Sequence, residues 1–125
     1  MINPLRLIGR APVDGVLFVD HLNMAPTLRR DSVAFLGPKN QWVGEGLYAF
    51  PGMDPDAPCN IYRVVSGPDG VRLYLDNWPD HANPVQTLTR KALAEVGFWP
   101  VVGSIQPFQF EFGLYLRDQF GQATP

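Results

Sequence analysis

Asn60-Ile61-Tyr62-Arg63-Val64-Val65-Ser66-Gly67-Pro68-Asp69-Gly70-Val71-Arg72-Leu73-Tyr74-Leu75 is the stretch on which the fold class turns. Two runs rich in β-branched and aromatic residues flank Gly67-Pro68-Asp69-Gly70. Pro-Asp-Gly between such runs predicts a hairpin, because proline presets φ and glycine accepts positive φ. The upstream sequence reads the same way. Gly15-Val16-Leu17-Phe18-Val19-Asp20 predicts a buried strand. Ser32-Val33-Ala34-Phe35-Leu36 and Leu47-Tyr48-Ala49-Phe50 predict two more, separated by Pro38 through Gly46. The 13 prolines and 12 glycines cut the chain into short pieces, the pattern of a β-rich domain with many turns.

Downstream of the hairpin, Thr87 through Glu95 predicts a longer helix, with Thr87 or Thr89 as its cap and Gly97 as its end. Phe98 through Ile105 predicts a further strand in which Pro100 implies an edge or a bulge. Phe108, Phe110 and Phe112 alternate with Gln109 and Glu111, a period-two signal for a strand with one buried face. That ladder has two readings, core that closes the sheet or a dimer interface, and a share of each is expected. The resulting organisation is an N-terminal arm over 1–14, a β domain over 15–117 and a polar tail over 118–125, expected to be mobile.

Bulk properties narrow the classes. At 125 residues, 46% hydrophobic and 18% charged, the chain suits one globular domain with a real core. Its net charge is −2, and no basic cluster exceeds the pairs Arg29-Arg30 and Arg90-Lys91, which disfavours strong direct nucleic-acid binding. Cys59 is the single cysteine, so no internal disulfide forms and a reducing, cytoplasmic setting is expected. There is no charged-then-apolar leader and no apolar run near twenty residues, so neither a secreted nor a membrane-spanning form is expected.

Between the first two strands lies Asn23-Met24-Ala25-Pro26-Thr27-Leu28, locally a short turn in which Pro26 can start one helical turn. This motif resembles the Ser-Met-x-Pro-Thr-Leu signature of the LexA, phage-repressor and signal-peptidase superfamily, whose serine is the nucleophile of a Ser-Lys dyad. Five further pieces follow in the order the family requires. Arg30-Asp31-Ser32-Val33 is similar to its Gly-Asp turn, without the glycine, and Glu45-Gly46-Leu47-Tyr48-Ala49 to its Asp-Gly-x-Ile-Tyr-Val. Ile61-Tyr62-Arg63-Val64 is similar to Val-Lys-Arg-Leu, with Tyr62 in the place of the general-base lysine. Leu75-Asp76-Asn77-Trp78-Pro79 resembles Ser-Asp-Asn-Pro, and Val102-Gly103-Ser104-Ile105 resembles Ile-Gly-x-Val. The resemblance covers roughly residues 15 to 106. It implies a mainly β, LexA/signal-peptidase-like ribbon or barrel with at most one or two short helices.

Chemistry separates this chain from the active members. Ser-Lys hydrolysis needs a hydroxyl nucleophile and a desolvated, neutral lysine. Asn23 has no hydroxyl, and Tyr62 is a poor base at neutral pH. The lysines, Lys39 and Lys91, lie away from the motif strand in this alignment. The Ala-Gly or Cys-Gly bond that self-cleaving relatives cut does not occur in the chain. Loss of nucleophile, base and cleavable segment predicts a pseudo-peptidase.

Blander readings stand beside these. Asn23 suits a turn whose amide bonds the backbone, and Tyr62 suits a strand residue filling space. His21, His81, Asp20, Asp80 and Cys59 match no usual zinc spacing, so no metal or other cofactor is expected. Ser32 and Ser104 lack a Gly-x-Ser-x-Gly context. Trp42, Trp78 and Trp99 suit a ligand groove, but an interface or core-edge role fits them at least as well.

The sequence therefore predicts an inactive LexA-like module that acts by oligomerisation or partner binding in prophage-type transcription regulation. The residues before its first strand are too few for a helix-turn-helix. The expected partners are a second copy and a DNA-binding regulator with a related domain. The candidate peptide groove, at the old dyad, comprises Asn23, Met24, Pro26, Thr27, Tyr62 and Arg63, with Phe108, Phe110 and Phe112 as the candidate dimer interface. Two alternatives stay open: a serine hydrolase with a non-standard nucleophile, and a small β-barrel that binds a ligand through its tryptophans.

Overall fold

The computed structural model describes residues 7–8 and 11–106. The expected Phe108, Phe110 and Phe112 ladder and the expected tail lie outside them. A two-stranded ribbon, β1 (Leu7–Ile8) with β2 (Ala11–Pro12), precedes the main sheet. The sheet comprises β3 (Gly15–Phe18), β4 (Val33–Leu36), β5 (Gly46–Pro51), β6 (Pro58–Gly67), β7 (Gly70–Tyr74), β8 (Gln86–Thr89) and β9 (Trp99–Ile105). Its order is β3-β4-β9-β5-β6-β7-β8, and every pairing is antiparallel. The seven strands form a curled half-barrel, and α1 (Arg90–Val96) is the single helix among the described residues.

Curling lets both faces bury side chains. Every residue of β4 is buried. Alternation along β5 and β6 then divides the core. Leu47, Ala49 and Ile61 join Leu17, Met24, Leu28 and Leu36 on one face. Tyr48, Phe50, Tyr62 and Val64 join Val71, Leu73 and Phe98 on the other. The turn after β3 is pinned to the first face by Met24 and Leu28, which are 0% and 2% exposed. It contains one helical hydrogen bond, Leu28 N–H to the Met24 carbonyl at 2.8 Å.

Three local expectations change in detail. The β6–β7 hairpin forms with Gly67 opposite Gly70, but Gly70 is not among the positive-φ glycines. It is glycine because β8 passes close by: a Cβ there would run into the Leu88 carbonyl oxygen and lie 2.8 Å from Thr89 Cα. The helix is shorter than predicted. Thr89 caps it, its hydroxyl accepting from Ala92 N–H at 3.1 Å, and Gly97 ends it at φ 85°, while Thr87 belongs to β8. Pro100 sits in an interior strand. It pairs opposite Tyr48 on β5, and the register against β4 slips just beyond it, from Leu36 opposite Val101 to Phe35 opposite Gly103. The irregularity next to Pro100 is how an inner strand accommodates a residue without an N–H.

Candidate functional site

Where β7 ends, the chain turns across the first face of the sheet and meets the turn after β3. Asn77 N–H donates to the Asn23 carbonyl at 2.9 Å, and Trp78 N–H closes the local turn on Leu75 O at 3.1 Å. This positions Asp76 over β6, where Arg63 stands opposite Tyr74 of β7. Arg63 grips the carboxylate with two parallel bonds, Nε to Oδ1 and Nη2 to Oδ2, both 2.7 Å. Thr27 Oγ1 donates to Asp76 Oδ2 at 2.5 Å. One carboxylate thus ties together the motif turn, the central hairpin strand and the segment after β7.

The electrostatics follow from that geometry. Above all the Arg63 hydrogen bonds, then the Thr27 hydroxyl and the nearby charges of Arg63 and His81, hold the Asp76 carboxyl below the usual carboxylate range, against the opposing cost of burial. Asp76 in turn raises the Arg63 guanidinium above its already high value. The pair stays charged and bidentate across the physiological range. Around it lies an open groove of about 450 Å³, lined by Pro26, Thr27, Arg63, Val65, Tyr74, Leu75, Asp76 and His81. That size lies within the roughly 300–1,000 Å³ span of ligand sites.

Of the predicted site residues, Pro26, Thr27 and Arg63 line this groove. Asn23 borders it through its main-chain carbonyl, and its side chain is exposed. Met24 is buried in the core as the anchor of the turn. Tyr62 lies on the opposite face of β6 from Arg63, its ring edge-on to Phe50 at 5.7 Å and beside Tyr48 in the neighbouring strand. Arg63, not Tyr62, is therefore the residue of that segment that reaches the motif turn.

The other candidate groups separate. Among the described residues no three of His, Cys, Asp and Glu come together as metal ligands. Trp99 is buried, with Lys39 Nζ over its ring at 5.1 Å, and Trp42 stacks on Tyr48 at 5.1 Å. None of the three tryptophans lines the groove. Ser32 is buried and Ser104 is an exposed residue of β9 opposite Ala34. Cys59 is partly buried, and that burial, with Asp20 nearby, pushes its thiol up, away from nucleophilic character. Val65, Tyr74, Leu75, Asp76 and His81 also line the groove and were not among the groove candidates the sequence offers. Asp76 sat inside a quoted motif, but its role depends on which loop docks on which strand.

Fold and site together define a class, a small antiparallel half-barrel with a groove built around a partly buried Arg-Asp pair. Compared with protein-family models, curated proteins and solved structures, the chain matches none. No helix among the described residues is long and apolar enough to cross a membrane.

Proposed function

We propose that this chain is a non-catalytic domain of the LexA, phage-repressor and signal-peptidase kind. It works by association, pairing with a second copy or with a DNA-binding regulator that carries a related domain, and its context is prophage-type transcription regulation. One observation carries the reading: segments quoted for the resemblance, far apart in sequence, meet at Asp76, which Thr27 and Arg63 hold jointly. Two further quoted pairs are neighbours in the sheet, Leu47 opposite Arg63 and Val33 opposite Ile105.

The same geometry argues against hydrolysis. The hydroxyl of the motif turn is Thr27, and its partner is a carboxylate of lowered basicity. Such a carboxylate is a poor base for an alcohol. The residue facing the groove where a lysine would be needed is Arg63, which does not release its proton in proteins. Neither Tyr62 nor Arg63, in the place of the lysine, supplies a general base at neutral pH.

Intact-mass measurement tests this directly. Pure chain incubated near neutral pH keeps a single mass of 13.9 kDa. A defined internal cut that disappears in Ser32→Ala or Ser104→Ala would show a hydrolase with a different nucleophile and contradict the proposal.

A further inference from the structure

The hydrogen-bonding capacity of the groove is unbalanced. Arg63 carries five guanidinium N–H donors. Nε and Nη2 each give one to Asp76, and the side chain remains 40% exposed. The bonds to Asp76 occupy one edge of the guanidinium and leave the other, Nη1 with the second N–H of Nη2, without a partner among the described residues. Tyr74 and His81 also line the groove with no side-chain hydrogen bond to a described residue. On the acceptor side, Asp76 is 12% exposed, with Oδ1 taken by Arg63 and Oδ2 by Arg63 and Thr27. Donors are in surplus, the carboxylate is engaged, and Pro26, Val65 and Leu75 give apolar walls.

We propose that the groove binds a carboxylate-bearing peptide segment of the partner. The carboxylate lies against the open edge of Arg63, with Tyr74 and His81 as further donors, and an adjacent apolar side chain packs on Pro26, Val65 and Leu75. The inference rests on the proposed role of the groove as a partner site. A carboxylate fits because its two coplanar oxygens match the fork of a guanidinium edge. A cationic segment would meet the open guanidinium edge of Arg63, while the Asp76 carboxylate is already engaged by Arg63 and Thr27. The carboxylate can come from a chain terminus or from an acidic side chain.

The test is an amide chemical-shift titration of the full chain with three probes: acetyl-Leu-Ala-Leu with a free C-terminal carboxylate, the same peptide amidated, and amidated acetyl-Leu-Glu-Leu. At least one carboxylate probe shifts Thr27, Arg63, Tyr74 and Asp76, and binds about fivefold or more tightly than the neutral peptide. Which of the two does so identifies the source. Tyr74→Phe reduces that preference severalfold and leaves the weak neutral binding unchanged. Equal binding of the neutral and carboxylate peptides at these residues would overturn the inference while leaving the groove as a partner site. Absence of shifts there with all three would overturn both.

Discussion

Asp76 holds three chain segments through one side chain, so its removal is felt beyond its own position. Asp76→Asn keeps the shape and loses the charge-assisted bonds from Arg63. We expect a loss of about 2 kcal/mol in denaturant unfolding, moderated by solvent at the half-exposed guanidinium. The carboxyl is held below its ordinary value in the fold. Its contribution is therefore complete above the ordinary carboxylate range and is lost as pH falls below about 4 towards the folded value. Denaturation midpoints taken between pH 7 and pH 3 should fall more steeply for the wild type than for Asp76→Asn; parallel curves would show that the pair carries no linkage. Tyr62 offers the contrasting case. Its ring packs on Phe50 while its hydroxyl makes no hydrogen bond to a described residue. Tyr62→Phe should change stability by less than about 0.5 kcal/mol, whereas Tyr62→Ala should cost about 2–3 kcal/mol. A large loss on removing the hydroxyl alone would place Tyr62 in a polar role that the packing does not provide.

Among the elements, the β7–β8 contact is the most exacting, because Gly70 leaves room for the Leu88 carbonyl and Thr89. Gly70→Ala should cost about 2–3 kcal/mol and strip hydrogen-exchange protection from Gln86–Thr89, with β5 and β6 protected as before. Uniform protection across all strands would contradict the close approach. Thr89→Ala, which deletes the cap of α1, should cost about 1 kcal/mol. These two elements also mark the limits of sequence reading. The strands around Phe35, Tyr48, Val64 and Leu73 were legible because β-branched and aromatic residues alternate or cluster between turn residues. β8 was not: in Gln86-Thr87-Leu88-Thr89 the one partly buried residue is Leu88, too little for a period. The Gly67–Gly70 hairpin is legible from its turn residues, but the positive φ expected of its glycine is not what Gly70 supplies: a neighbour invisible in the local sequence excludes a Cβ there. The same limit hides most of the groove. Thr27 and Arg63 were found through motifs, whereas Tyr74, Asp76 and His81 join them only because the chain after β7 folds back to Asn23.

At the scale of the whole molecule, the curled sheet brings Thr27, Arg63 and Asp76 together on one face and packs Tyr48, Phe50 and Phe98 on the other. On the first face lies a groove in which Asp76 is held by Arg63 and Thr27 and the outer edge of the Arg63 guanidinium has no partner among the described residues, the surface on which the proposed association rests. The proposed function is association. Light scattering of the pure chain across concentration measures it most directly. The account predicts an average mass that rises from 13.9 kDa towards twice that value as protein is added; a mass fixed at that of one chain over the whole range would contradict self-pairing, the central form of the claim.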